Sequence, residues 1–221
     1  MLDTVPRFEN VTYISATPIE RKYYLEELKH LPEYQIEWPN AKSTNIRSHR
    51  VDKPLEYMAG VCRNKIIKNG DCNYHIFLNS VEDISSIIRT AKLTPENTRV
   101  ICSQSEDTLR KNLGKLPEGF TISKALDELK PISFYTSTCF EGQDIIDNNG
   151  RTFIVSNARK EHTMIDISTS FIQICGRIRQ SQYNDEIVHF YSTTRYNSEV
   201  SLEEFERATY KALEKAQGYA D

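Results

Sequence analysis

Short apolar runs alternate along the chain with stretches whose apolar residues recur at helical spacing. The first part is the least regular. Residues 11–15 read as a strand, 19–29 as an amphipathic helix and 34–38 as a second short strand, and the polar, irregular stretch 39–48 reads as a connection. The alternation then becomes regular: a helix over 54–69 ended by Gly70, a strand over 75–78, a helix over 81–91, a strand over 99–102 and a helix over 106–113 closed by Gly114. A short helix over 123–129, strands over 132–136 and 152–156, a helix over 167–177, a strand over 186–191 and a last helix over 201–216 complete the series. The last helix opens on a capping box, Ser201 with Glu204, and stops before Gly218. Strands separated by helices at this spacing predict an α/β protein with a parallel sheet and helices on both faces, a three-layer α/β/α arrangement. On such sheets ligands bind beyond the carboxyl ends of the strands, which singles out the residues that follow each strand.

Composition narrows the class. The 221 residues are 38% hydrophobic and 10% aromatic, enough to bury a core and too much for a disordered chain. A net charge of −3 excludes a polybasic binder but leaves room for nucleic-acid contact through a few placed groups. No run approaches about 18 apolar residues, so no membrane span is expected. Pro6, Arg7, Glu9 and Glu20 interrupt the first twenty residues, so no secretory signal is expected either. The five cysteines (Cys62, Cys72, Cys102, Cys139, Cys175) are scattered without a C-x-x-C pair. That excludes a zinc ribbon or a disulfide framework and fits reduced, mostly buried thiols in a cytoplasmic protein.

Several catalytic signatures are absent. No G-x-x-x-x-G-K-[ST] occurs: Gly114-Lys115 stands alone, with Leu109 where the first glycine should be, so the chain cannot cradle a triphosphate as a P-loop does. No D-E-x-[DH] follows a strand, and Asp127-Glu128 reads as the solvated face of a helix. Four segments remain. Ser15-Ala16-Thr17-Pro18 follows the first strand and by itself is a capping box with Glu20. His75-Ile76-Phe77-Leu78-Asn79-Ser80 ends a strand, with Ser80 placed to cap the next helix through Asp83. Tyr135-Thr136-Ser137-Thr138 places hydroxyls at a strand end, followed by Gly142, which permits a close backbone approach, and Asp144. Gln173-Ile174-Cys175-Gly176-Arg177-Ile178-Arg179-Gln180 places Gln173, Gly176, Arg177 and Gln180 on the polar arc of the expected helix. A glycine tolerated there suggests that something approaches closely, and an arginine beside it suits charge developing on a transferred phosphoryl group. The plain alternatives are a polar loop with a glycine turn and a surface arginine pair beside a packed helix.

In this order and spacing the four segments resemble motifs III, IV, V and VI of superfamily 2 helicases. Ser15-Ala16-Thr17 is similar to the S-A-T of motif III, 76–80 to motif IV, Thr136 with Gly142-Gln143-Asp144-Ile145 to the T…G-x-D-[IF] of motif V, and Gln173-x-x-Gly176-Arg177 to the Q-x-x-G-R of motif VI. The resemblance covers roughly residues 11–180 and implies a RecA-like second lobe over 51–221, joined by a linker over 39–50 to a tail of the first lobe over 1–38. It further implies ATP and Mg²⁺ held mainly by a first lobe with the P-loop, arginine fingers at Arg177 and Arg179, and ATP-site contacts at Gln173, Gly142 and Asp144. Thr136, Ser80 and Ser103 become contacts to a nucleic-acid backbone. One departure stands out: the usual second arginine falls three residues after the first, where this chain has Gln180, and Arg179 comes one residue early. A straight helix would turn Arg179 about 200° from Arg177, whereas a helix ending at Arg177 leaves the following loop able to aim Arg179 inward. Two rival readings are a RecA-like docking module that has lost catalysis and, on fold analogy alone, the nucleotide-sugar half of a two-lobed glycosyltransferase.

Overall fold

The computed structural model of the chain describes residues 12–13, 21, 24–36, 44–140, 143–167, 170–193, 201–204, 206–207 and 209–210. Its centre is a six-stranded, wholly parallel sheet made of β1 (Asn45–Arg50), β2 (Asn73–Phe77), β3 (Thr98–Ile101), β4 (Ile132–Tyr135), β6 (Gly150–Ser156) and β8 (Glu186–Tyr191), in the spatial order β1-β8-β6-β2-β4-β3. A separate two-residue pair joins β5 (Ile145–Ile146) to β7 (Ile178–Arg179), again in parallel. The helices are α1 (Pro54–Lys68), α2 (Val81–Ala91), α3 (Glu106–Leu113) and α4 (Ser170–Cys175).

The topology follows from handedness. From β1 through α1 to β2 and through α2 to β3 the chain moves across the sheet in one direction, and from β3 through β4 and β6 to β8 it returns. Crossovers between parallel strands are right-handed, so reversing direction sends the later connections to the other face. The two buried clusters fall this way. Ile76, Phe134, Phe153, Val155 and Phe190 face Met58 and Cys62 of α1 and Ile84, Ile87 and Ile88 of α2. Phe77, Tyr135, Ile154 and Ile187 face Phe140, Ile145, Phe171, Ile174 and Ile178. Adjacent strand residues alternate between the clusters, as the two-residue strand period requires when both faces are covered. Each such side chain removed from water contributes roughly 1.5–3 kcal/mol.

Local signals set the helix ends. Pro54 starts α1, where a missing N–H costs nothing. Ser80 caps α2, its Oγ accepting the Asp83 N–H at 3.2 Å. The chain leaves α1 through Asn69 at φ 43°, one residue before the glycine expected to stop it.

Three expectations change. Residues 45–50, inside the polar stretch read as a linker, are the edge strand β1, paired in register with β8 from Asn45↔Glu186 to Arg50↔Tyr191. The strand is exposed along its whole length. An edge strand without an apolar face carries no alternation to read, and charged side chains are how such edges avoid further pairing. Residues 123–129 are not helical, and α4, described over Ser170–Cys175, ends two residues before Arg177. Expected elements over 11–15, 19–29, 34–38 and 201–216 lie wholly or partly outside the described residues; within them, Glu26–Leu28 form one 3₁₀ turn, 34–36 form no strand, and Ser201 and Glu204 make the expected capping box.

The irregular 123–129 segment is held by a side chain inside the sheet. Arg99, on β3, is 1% exposed. Its Nη1 donates to the carbonyl of Asp127 at 2.6 Å and reaches those of Ala125 and Glu128 at 3.5 Å. Its Nε donates to Ser133 Oγ at 2.8 Å and its Nη2 to Tyr135 Oη at 3.0 Å. These bonds tie the irregular 125–128 segment to the sheet. The chain of bonds continues: Tyr135 Oη lies 2.9 Å from His75 Nδ1, and His75 Nε2 lies 2.8 Å from Asp147 Oδ2.

Gly150 opens β6 directly against that imidazole. A Cβ there would lie 2.9 Å from His75 Cδ2 and Nε2 and 3.0 Å from Ile178 Cγ2. The ring is hydrogen-bonded through both nitrogens and cannot swing away. Gly150→Ala is therefore expected to cost about 1–3 kcal/mol through overpacking, read as a lower urea midpoint at an unchanged slope.

Candidate functional site

The segments resembling motifs V and VI meet at the β5–β7 pair. Ile145 N–H donates to Arg177 O at 2.8 Å and Asp147 N–H to Arg179 O at 3.2 Å. Strand alternation buries Ile145 and Ile178 in the second cluster and leaves Ile146 and Arg179 outside. The helix expected to carry Arg177 ends at Cys175, so Gly176 and Arg177 lie in a turn and the shared polar arc does not exist. Gln180 closes β7 at φ 64°. Among the described residues a Cβ at Gly176 would meet nothing nearer than Gln173 O at 3.7 Å, so their contacts do not demand glycine there.

Arg177 is part-buried and anchored. Its Nε donates to Gln173 O at 2.9 Å, its Nη1 to Gln143 O at 3.1 Å and its Nη2 to Gln173 Oε1 at 3.5 Å. A guanidinium carries five N–H donors, more than these contacts use. Arg179 Nε donates to Asp144 Oδ1 at 3.1 Å, in an ion pair whose two side chains are about half exposed. Gln173 and Arg177 are thus linked to each other, and Arg179 to Asp144, at the same β5–β7 pair. Gly142 and 15–17 lie outside the described residues.

The three expected backbone contacts are placed differently. Ser80 and Thr136 are only 8% and 7% exposed. Ser80 is occupied as a cap, and Thr136 Oγ1 lies 3.3 Å from Thr138 Oγ1. Ser103 is half-buried and accepts from Thr108 Oγ1 at 2.9 Å. The exposed hydroxyls at this end of the sheet are those of Ser137 and Thr138. Asn79 fastens the edge: its Nδ2 donates to His162 O at 2.9 Å and its Oδ1 accepts the Ser137 N–H at 3.2 Å. Beside it, a cleft of about 320 Å³ opens beyond β3 and β4, with Ser103, Gln104, Thr138 and Gln143 on its walls.

The sequence reading missed Asp147, which fixes the β5–β7 pair to the sheet. Its carboxylate accepts from His75 Nε2, from Asn73 Nδ2 at 2.9 Å and from the Asn149 N–H at 2.9 Å. Burial alone would raise this carboxyl; the hydrogen bonds from His75, Asn73 and Asn149 outweigh it and hold it below the usual carboxylate range. Burial lowers the His75 imidazole, with Asp147 offsetting only part. His75 is then neutral: Nε2–H donates to Asp147 and Nδ1 accepts from Tyr135 Oη, which accepts in turn from Arg99. Burial also lowers His189, on β8, to about 4; its Nε2 lies 3.0 Å from Ser156 Oγ and its ring packs edge-on to Phe171. Its bond from the Asn149 N–H is local and marks only a turn, while His75 and Asn73, which tie it to the sheet, stand on another strand.

The sheet order and the two buried faces define the class: a RecA-like, three-layer α/β/α fold with a polar loop cluster at the carboxyl edge of its strands. No known family model matches the chain, and no curated protein shows significant sequence similarity to it. Among the described residues no helix is long and apolar enough to cross a membrane, and no group of three or more His, Cys, Asp or Glu is arranged to hold a metal ion.

Two outcomes are expected. His75, Asp147 and His189 all bind protons less readily folded than unfolded, so stability is full above about pH 6.5 and declines as pH falls through the lower folded-state values. The thermal midpoint should drop steadily from about pH 7 to about pH 5, and His189→Gln should flatten part of that drop. Because the Asp144–Arg179 pair is exposed, Asp144→Ala should change the urea-derived stability by less than about 1 kcal/mol.

Proposed function

We propose that the chain is the carboxy-terminal RecA-like lobe of an ATP-dependent nucleic-acid helicase or translocase. The observation that carries the reading is the β5–β7 pairing. It brings two segments of matching sequence pattern, about 35 positions apart, into one cluster where Arg177 holds the Gln143 carbonyl and Arg179 holds Asp144. The chain has no P-loop, so the triphosphate and its Mg²⁺ are held by another lobe, and this one contributes cations to the transferred phosphoryl group. Gln173 and Gln143 fix the Arg177 fork from two sides, so little reorganisation remains when the lobes close. The exposed Asp144–Arg179 pair is weak enough for Arg179 to exchange its carboxylate for a phosphate. Gly176, demanded by no contact among the described residues, leaves room for a ligand or the facing lobe. Nucleic acid runs along the carboxyl edge of the sheet through Ser137, Thr138 and Ser103, while the buried Thr136 and Ser80 shape that edge. Such contacts fix position without reading sequence.

A catalytically silent docking module is the second reading, favoured by the engagement of both arginines within the chain. ATP turnover separates the two. Joined to a first lobe with a P-loop, the chain should support nucleic-acid-stimulated hydrolysis, and Arg177→Ala should lower kcat by about 10³–10⁵ while strand binding persists. Turnover unchanged by that substitution would remove Arg177 from the chemistry.

A further inference from the structure

We infer that the cleft beyond β3 and β4 is a pocket for a single nucleobase of the bound strand; this rests on the nucleic-acid reading above. At about 320 Å³ the cleft falls in the size range of small-molecule sites. Its floor is formed by Ile101, Cys102 and Cys139, all nearly fully buried. Burial raises both thiols, Cys102 to about 11, so the floor is neutral and apolar. One wall is stiff: Gln104 Nε2 donates to Ser123 O at 3.0 Å. The opposite wall carries Thr138 and Gln143.

Gln143 supplies the chemical selectivity. Its carbonyl is held by Arg177, which fixes the backbone, while its Oε1 lies covered and has no hydrogen-bond donor among the described residues. A buried acceptor left unpaired costs about 1–3 kcal/mol, and a turn of the amide into the cleft, where a ligand N–H pairs with it, relieves that cost. Among the described residues no carboxylate lines the cleft, and the one cation, Lys124, is exposed at the rim. The fitting ligand is a neutral planar ring with an N–H donor, attached to a phosphate outside. A single lysine is too little to hold a free nucleotide by its phosphate, whereas a strand lying across Ser137 and Thr138 delivers the ring from the neighbouring edge. The described lining contains no aromatic residue, so a base held here leaves its own stack without entering another.

That last point provides the readout. The 221-residue chain is mixed with a short single strand carrying one 2-aminopurine, whose fluorescence rises on unstacking, and binding is followed separately by the anisotropy of an end label. The expected result is a saturable rise that parallels binding and is lost in Gln143→Leu, with affinity about tenfold weaker. A strand with an abasic site at that position should bind the unaltered chain about tenfold more weakly, which tests the pocket without a variant. Binding with no rise, a rise unchanged in Gln143→Leu, or equal affinity for the abasic strand would overturn the pocket and leave the nucleic-acid reading standing. Free 2-aminopurine riboside saturating at the same concentration as the strand would overturn the strand-borne ligand. Absence of any anisotropy change would sink both the pocket and the reading beneath it.

Discussion

Two opposite charges sit inside this molecule, and the hydrogen bonds joining them govern how one face of the sheet is covered. Arg99 lies at one end and Asp147 at the other, with Tyr135 and His75 between them. A charge moved from water into a protein interior costs several kcal/mol unless its partners are complete. Here the guanidinium has the Asp127 carbonyl, Ser133 and Tyr135, and the carboxylate has His75, Asn73 and the Asn149 N–H. The network crosses β3, β4 and β2 and ends on the bend that leads into β6, so it fixes three strands and two connections relative to one another.

The consequences reach the loop cluster. Asp147 is held to the sheet by its side chain and to Arg179 by its backbone N–H, so a two-residue ladder that would be marginal alone is tied to the buried network. Ile145 and Ile178 add an apolar anchor beneath it. With its inner edge fixed, the outer edge presents Asp144 and Arg179 to solvent, and Arg177 bridges back to Gln143 at the mouth of the neighbouring cleft. Exposed cations, an exposed carboxylate and a neutral apolar cleft thus stand side by side on one rigid support. Gly150 is part of the same arrangement, because only a residue without a side chain leaves space for the imidazole.

The carboxyl edge of the sheet combines fixed and accessible groups. Asn79 ties the chain after β2 to the turns after β4 and β6, and Ser80 and Thr136 are used up in caps and local bonds. The hydroxyls left at the surface belong to Ser137 and Thr138, one and two positions beyond the residue the motif pattern singles out. A backbone contact chosen by residue type alone falls on the buried threonine, while burial leaves the task to its neighbours.

The sequence by itself determined the α/β class, the positions of β2, β3, β4, β6 and β8 to within two residues at either end, and α2 and α3 to the residue, because both faces of this sheet are buried, α2 has an apolar face and the Ser80 cap, and α3 is bounded by Ser105 and Gly114. The resemblance of two of its segments to a known motif pattern also grouped Gln173, Arg177, Arg179 and Asp144. Tertiary structure alone decided the rest. The edge strand β1 has no buried face and therefore no periodic signal. Residues 123–129 look helical locally, yet their carbonyls turn to a guanidinium contributed by another strand. The helix before Arg177 stops at Cys175 because Ile178 and Arg179 pair with Ile145 and Ile146, a partner far away in sequence. Asp147, the residue on which that pairing hangs, has no mark within its own segment, since a buried charge is recognised only by the groups that surround it in three dimensions.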